Sequence, residues 1–309
     1  MKKQHLPKDI LLGTAIGDAL GYPVQFIPRE TVQQNPVIGI DAPIGIWSDD
    51  TSLSLCLADS LCNGYNLHDI ADKFISWLFE GLWTPNNKAF DIGRTTMRAI
   101  INLKKGTVPQ LAGLNRESDN GNGSLMRILP IIPYLLELDE NKQIQTISDV
   151  SSLTHRHPRS ILACIFLCKF ALQYLHCNNK QIALKNTQQE IRQLLTLKEF
   201  KNENLHFHRL IHLSYEEYKN IPEIEIKSTG YVIDTLEAAL WSIFNNQNFK
   251  DSLLCAVNLG HDADTVGAIT GALAGIIYGH HTIPVEWLHV LARKDDIIEL
   301  ANKLENKFP

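Results

Sequence analysis

Cysteines are few, alternating strand patterns are nearly absent, no long linker interrupts the chain, and basic residues do not predominate among its 309 residues. Each of these absences excludes something. The six cysteines contain no CxxC pair, which rules out a zinc ribbon or thioredoxin motif, and they are too few for a disulfide framework at this length. Free thiols fit a reducing cytoplasm, the expected location. Cys164 and Cys168, one helical turn apart, read as small core residues. Lys plus Arg is 29 against 34 for Asp plus Glu, a net charge of −5, so no nucleic-acid partner is expected. The uncharged stretch Thr265 to Tyr278 is too short to cross about 30 Å of hydrocarbon, so it reads as a buried helix and no membrane partner is expected. Lys2, Lys3 and Lys8 ahead of Ile10 to Gly17 imitate a secretion signal. That apolar run is short, ends at Asp18 and lacks a small-residue cleavage site, so it reads as a helix of the domain.

What is present is helical periodicity. Ile161, Ile165, Cys168, Leu172 and Leu175 mark one face after Pro158; Val232, Leu236, Leu240 and Ile243 mark another; Val266, Ile269, Leu273 and Ile276 mark a third. The third segment also carries Gly267, Gly271, Gly275 and Gly279 at a spacing of four. Glycine costs about 1 kcal/mol against alanine within a helix, so the row predicts close approach of another backbone. Further helices are expected over 8–20, 51–63, 68–80, 92–105, 123–138, 182–197, 249–258 and 286–306, the last with a break. Only Pro36 to Trp47 looks extended. The expected class is all-α, one domain over 1–309, with the polar stretch 178–227 as helical decoration.

Chemistry-bearing residues are acidic and fall in two clusters. Ser48-Asp49-Asp50-Thr51 precedes an apolar run, where an aspartate suits an N-cap and the helix dipole. That explains one cap better than two adjacent acids flanked by hydroxyls. Asp262-Ala263-Asp264-Thr265 opens the glycine-spaced helix. Two carboxylates at a buried helix start want a cation. The donors are hard oxygens, suited to Mg²⁺, Mn²⁺ or Ca²⁺ and not to zinc. Ser48, Asp49, Asp50, Asp262, Asp264 and Thr265 together suffice for two ions about 3.5–4 Å apart. A third motif, Asp119 to Arg127, places Gly121 and Gly123 before an apolar segment, where backbone N–H groups can face a diphosphate or simply form a capped loop.

These motifs, in this order, resemble the ADP-ribosylglycohydrolase family, and most of all its bacterial branch, the dinitrogenase reductase-activating glycohydrolases that remove ADP-ribose from arginine. The matching stretches are GTAIGDALGYPVQF (13–26), WSDDTSLSLCLADSL (47–61), FDIGRTT (90–96), ESDNGNGSLMRILPI (117–131), THRHP (154–158), STGYVIDTLEAALWSI (228–243) and NLGHDADTVGAITGALAGIIYG (258–279). The resemblance implies a compact, orthogonally packed all-α domain with two divalent cations, Mg²⁺ or Mn²⁺, at the floor of a cleft. It implies metal ligands at Ser48, Asp49, Asp50, Asp262, Asp264 and Thr265, with Asp264 bridging and Asp50 and Asp264 sharing in catalysis. Asp91 in FDIG matches the acid proposed to handle the proton that opens the ribose ring; the residue equally suits an N-cap. Glu117 and Asp119 match acids beside the arginine guanidinium. Gly121, Asn122 and Gly123 would line the diphosphate, and His155 and Tyr231 would contact the substrate. The implied activity is metal-dependent hydrolysis of the bond between ADP-ribose and an arginine of a modified protein.

One position departs from the family: Gln25 stands where a glutamate is usual. A glutamine oxygen can ligate a metal but cannot take a proton. Acid–base work then falls to Asp91 and the metal-site aspartates. The alternatives are a weakened ADP-ribose binder, a protein that blocks an ADP-ribosyltransferase by contact, or the same hydrolysis on a serine, nucleic-acid or small-molecule adduct. His206, His208 and His212 lack an evident fourth ligand and read as a surface cluster; Lys294, Asp295 and Asp296 read as a helix cap.

Overall fold

Capping side chains set several of the helix starts. The structure, a computed structural model, describes residues 5–40 and 45–309. Helix α1 (Leu6–Gly21) starts with Pro7 in its first turn. Helix α2 (Asp49–Leu61) is capped by Ser48, whose hydroxyl accepts from the Asp50 amide; α3 (Leu67–Glu80) is capped by Asn66 and stopped by Gly81 at φ 75°. The longer helices that follow are α4 (Arg94–Lys104), α5 (Glu140–Ser152), α6 (Pro158–Cys177) and α7 (Lys180–Leu194). After them come α8 (Val232–Asn245), α9 (Phe249–Val257), α10 (Ala263–Tyr278) and α11 (Lys294–Lys307). Among the described residues no strand forms. Three isolated bridges join Gly45 to Leu291, Leu114 to His155, and Gly121 to Tyr231.

The central element is the pair α1 and α10, which make the most extensive contact in the molecule. Nearly every residue of both helices is buried. A Cβ on Gly17 would collide with the Gly267 carbonyl, one on Gly271 with that of Gly13, and one on Gly275 with that of Asp9. The backbones touch, which is why glycine recurs on both partners. Gly279 is an exception to the row: it lies past the end of α10 at φ 87° and terminates the helix. Asp9 closes the far end of the pair, accepting from the His280 amide at 2.6 Å. Gly17→Ala should therefore cost about 3 kcal/mol or more, since neither backbone can yield without unpacking the pair. A denaturant midpoint equal to wild type would contradict this packing.

Two expectations fail for local reasons. The region 123–138 forms turns, a short 3-10 segment Leu129–Ile131 and a single turn Ile132–Leu135 in place of a helix. Pro130 and Pro133 each remove a backbone donor there. Of the stretch 36–47, residues 41–44 lie outside the described ones; the described residues 36–40 and 45–47 make no strand, and Gly45 contributes only its bridge. Helix α6 is long and apolar enough to cross a membrane by length and composition, but most of it is buried against its neighbours. Residues 178–227 contain α7 and short turns, His208–His212 and Tyr215–Lys219. Phe207, Leu210 and Tyr218 from this stretch join the same apolar core as α8.

Candidate active site

The pairing of α1 with α10 and the start of α2 bring three distant carboxylates together. Asp18 lies on α1, Asp50 in the first turn of α2 and Asp264 in the first turn of α10. An oxygen from each lies within 4.8 Å of the others, and all three are buried. Asp18 is tied to the start of α2: one oxygen accepts from the Thr51 hydroxyl at 2.7 Å and the Thr51 amide at 3.0 Å, and the Ser48 amide donates to the carboxylate at 2.9 Å. Burial still pushes Asp18 up to about 6. Asp50 and Asp264 rise well above the ordinary carboxylate range, through burial and then the charges of neighbouring acids.

Asp50 Oδ1 and both oxygens of Asp264 are buried without a hydrogen-bond partner. Such atoms are expensive unless something positive meets them. A set of carboxylate oxygens with spare lone pairs fits a hard divalent cation, so the cluster can hold a metal ion.

The sequence reading missed Asp18. An aspartate inside the otherwise apolar run Ile10 to Leu20 was the available signal, because a buried charge needs a reason. Ser48, expected as a ligand, works as the α2 cap and donates its hydroxyl hydrogen to Asp50 Oδ2 at 2.9 Å. Asp49, Asp262 and Thr265 line an adjoining cleft of about 380 Å³. Burial raises both Asp49 and Asp262, with Asp50 adding repulsion on Asp49. Asp262 accepts from the Asn122 side-chain amide at 2.5 Å, and that amide also donates to Thr235 at 2.9 Å.

Asp91 stands on the cleft wall in the left-handed region, φ 55°. The Gln25 side-chain amide donates to Asp91 Oδ2 at 2.8 Å. Gln25 thus contacts the acid that the resemblance nominates. Gly121, Asn122 and Gly123 line the same cleft, pinned by the Asn122 amide donating to Gly230 at 3.1 Å. His155 also lines it. A Cβ on Gly123 would press against the His155 ring, so this glycine is required by close approach. Buried Arg127 donates to Thr154 Oγ1 at 2.7 Å, and Thr154 bonds His155 Nδ1 at 2.9 Å. Burial, with help from Arg127, pushes His155 down to about 3, so its imidazole is neutral.

Three expected substrate residues sit elsewhere. Glu117 is exposed and paired with Arg159 at 2.5 Å and His157 at 3.4 Å, outside the cleft lining. Asp119 ends a 3-10 turn whose geometry turns its carboxylate back to the Arg116 amide at 3.0 Å, so it faces a neighbouring cavity. Tyr231 is outside the cleft lining, with its hydroxyl 3.3 Å from His206 Nδ1 and its ring beside Arg159. His206 comes from the stretch read as decoration, which therefore contacts Tyr231.

A family model described as ADP-ribosylglycohydrolase matches residues 8–309. The chain belongs to the ADP-ribosylglycohydrolase family. It is 36% identical to an ADP-ribosylarginine hydrolase Tri1 of Serratia proteamaculans, over 96% of this chain and 78% of that one. An ADP-ribosyl-[dinitrogen reductase] glycohydrolase of Rhodospirillum rubrum is 31% identical, over 92% of this chain and 89% of its own. A solved structure described as an ADP-ribosylglycohydrolase-related protein complex superimposes with a TM-score of 0.79 at 29% identity, covering all of both chains. This ADP-ribosylglycohydrolase family member thus places its acidic motifs on an all-α frame.

Proposed function

We propose that the protein hydrolyses the N-glycosidic bond between ADP-ribose and an arginine of a modified protein. The observation that carries this reading is the buried Asp18, Asp50 and Asp264 cluster beside a cleft walled by Asp91, in a chain whose relatives include ADP-ribosylarginine hydrolases. Asp50, Asp264, Asp49, Asp262 and Thr265, with Asp18, would hold two divalent cations, Mg²⁺ or Mn²⁺. Bound there, they would supply positive charge to orient the ribose hydroxyls and water.

The chain's own residues supply the rest. Backbone N–H groups of Gly121 and Gly123 receive the diphosphate, and neutral His155 offers Nε2 to the substrate. Gln25 holds the Asp91 carboxylate toward the cleft. The water oxygen bonds to C1″ of the ribose while the C1″–N bond breaks, its electron pair leaving on the guanidine nitrogen. Asp91 accepts the water proton and passes it to the leaving guanidine nitrogen, so the arginine departs as its guanidinium.

The test compares ADP-ribose release from arginine-linked and serine-linked peptides in Mg²⁺ and in Mn²⁺. Faster release from arginine is expected. Faster cleavage of the serine linkage would reverse the assignment, and tight binding of ADP-ribose without release from either would make the protein a binder.

A further inference from the structure

A second cavity, about 330 Å³, lies against the cleft, and three arginines line it: Arg98, Arg116 and Arg156. Three wall segments are common to the two cavities. Thr96 of α4 faces the cleft and Arg98 the second cavity; Gly121 faces the cleft and Asp119 the second cavity; His155 faces the cleft and its chain neighbour Arg156 the second cavity. Two residues of chain span at most about 7 Å, so the two cavities are separated by a wall only one or two segments thick. The segments are held in place by backbone hydrogen bonds: Leu114 N–H donates to Thr154 at 3.1 Å, and Arg156 N–H donates to Leu114 at 2.8 Å.

The charge of this cavity is unbalanced. Among the described residues none of the three guanidinium groups lies within ion-pair distance of a carboxylate. Arg156 makes only a long bond, 3.4 Å, to the Gly113 carbonyl. Asp119 is the one acid in the lining, and its carboxylate is engaged by a backbone amide. Three cations therefore converge on one polar cavity in a chain whose net charge is −5. Guanidinium forks match carboxylate and phosphate oxygens.

We propose that this second cavity takes an anionic group of the bound substrate, foremost a carboxylate of the modified protein near its ADP-ribosylated arginine. The inference rests on the hydrolase reading for the identity of the substrate. The cavity then acts as a specificity pocket outside the reacting centre, favouring arginines with acidic neighbours.

Arg98 and Arg116 are exposed, so their replacement spares the core. The test measures kcat and KM of wild type, Arg98→Ala/Arg116→Ala and Arg98→Lys/Arg116→Lys on three probes. These are an ADP-ribosylated arginine peptide with flanking glutamates, the same peptide with glutamines, and ADP-ribosyl-arginine alone. The expected result is an unchanged kcat and a kcat/KM for the acidic peptide lower by on the order of tenfold in the alanine variant. That loss should shrink at high salt and be largely restored by lysine. An equal loss on all three probes would assign the anion to the nucleotide phosphates. Unchanged kcat/KM on every probe at low salt would overturn the inference. The same comparison read as equilibrium Kd does not depend on turnover, so a wild type that fails to hydrolyse removes only the hydrolase reading.

Discussion

Asp264→Asn is expected to abolish ADP-ribose release, by on the order of 10³-fold or more, since positive charge at the reacting centre is worth several kcal/mol. The same substitution should make the metal-free protein more stable. Burial, and then the charges of neighbouring acids, raise Asp264 well above the ordinary range. A neutral isostere relieves that repulsion, and each kcal/mol relieved raises the melting temperature by roughly 2–4 °C in a chain of this size. The pH dependence has a definite sign. A carboxylate raised from 3.8 to about 6, as Asp18 is, holds a proton in the folded state that the unfolded chain releases. Metal-free stability therefore falls as pH rises from about 4 through 6. Stabilisation by Mg²⁺ or Mn²⁺ should accordingly be larger at pH 8 than at pH 5. Melting curves of wild type and Asp264→Asn, with and without each ion at both values, check all three statements. A wild-type curve indifferent to both ions at pH 8 would remove the metal centre.

The second large effect belongs to Asp91. Asp91→Asn should lower kcat by on the order of 10²–10⁴, the usual worth of a positioned acid or base, while leaving the metal-induced melting shift intact. Gln25 should act through it. Gln25→Ala removes the 2.8 Å donor and is expected to cost about tenfold in kcat. In an Asp91→Asn background the same change should cost almost nothing, because the two residues form one unit. Gln25→Glu places two carboxylates side by side, so one must hold a proton. The acidic limb of the kcat–pH profile should move up by about one unit or more. The measurement is kcat against pH for the three single variants and the double variant Gln25→Ala/Asp91→Asn, at saturating metal. A Gln25→Glu variant that turns over faster on an unshifted profile would show that Asp91 is misassigned.

Much of the frame was legible because it depends on local rules. The glycine spacing in α10 announced a close partner, since only a missing Cβ permits backbone contact, and α1 proved to be that partner. Gly279 was misread because a helix terminator and a packing glycine look alike at one spacing. The acidic motifs at the starts of α2 and α10 were legible as hard-oxygen donors. Asp18 was not, because a lone aspartate carries no spacing signal and its role appears only when α2 is laid against α1. Directions were the hardest to read. Glu117 and Asp119 are two positions apart, yet one meets Arg159 at the surface and the other faces a different cavity, a choice made by the 3-10 turn and by a distant arginine. Pro130 and Pro133 were visible in the sequence, and their effect on 123–138 was underweighted against the apolar pattern.

The contact between α1 and α10 also sets when the protein can become functional. Asp9 and its partner His280 are separated by 271 positions, and the glycines that interlock the two helices are almost as far apart. A ribosome makes α1 well before α10, the surface that covers it. Until then the bare glycine-and-apolar face of α1 has nothing to close on, and Asp18 has no Asp264 to meet. Late closure of such a distant pairing is slow and leaves apolar surface open meanwhile. The carboxylate cluster is thus completed only once α10 has been made, and a cation bound there would report the closed pair of helices, not a fragment that lacks α10.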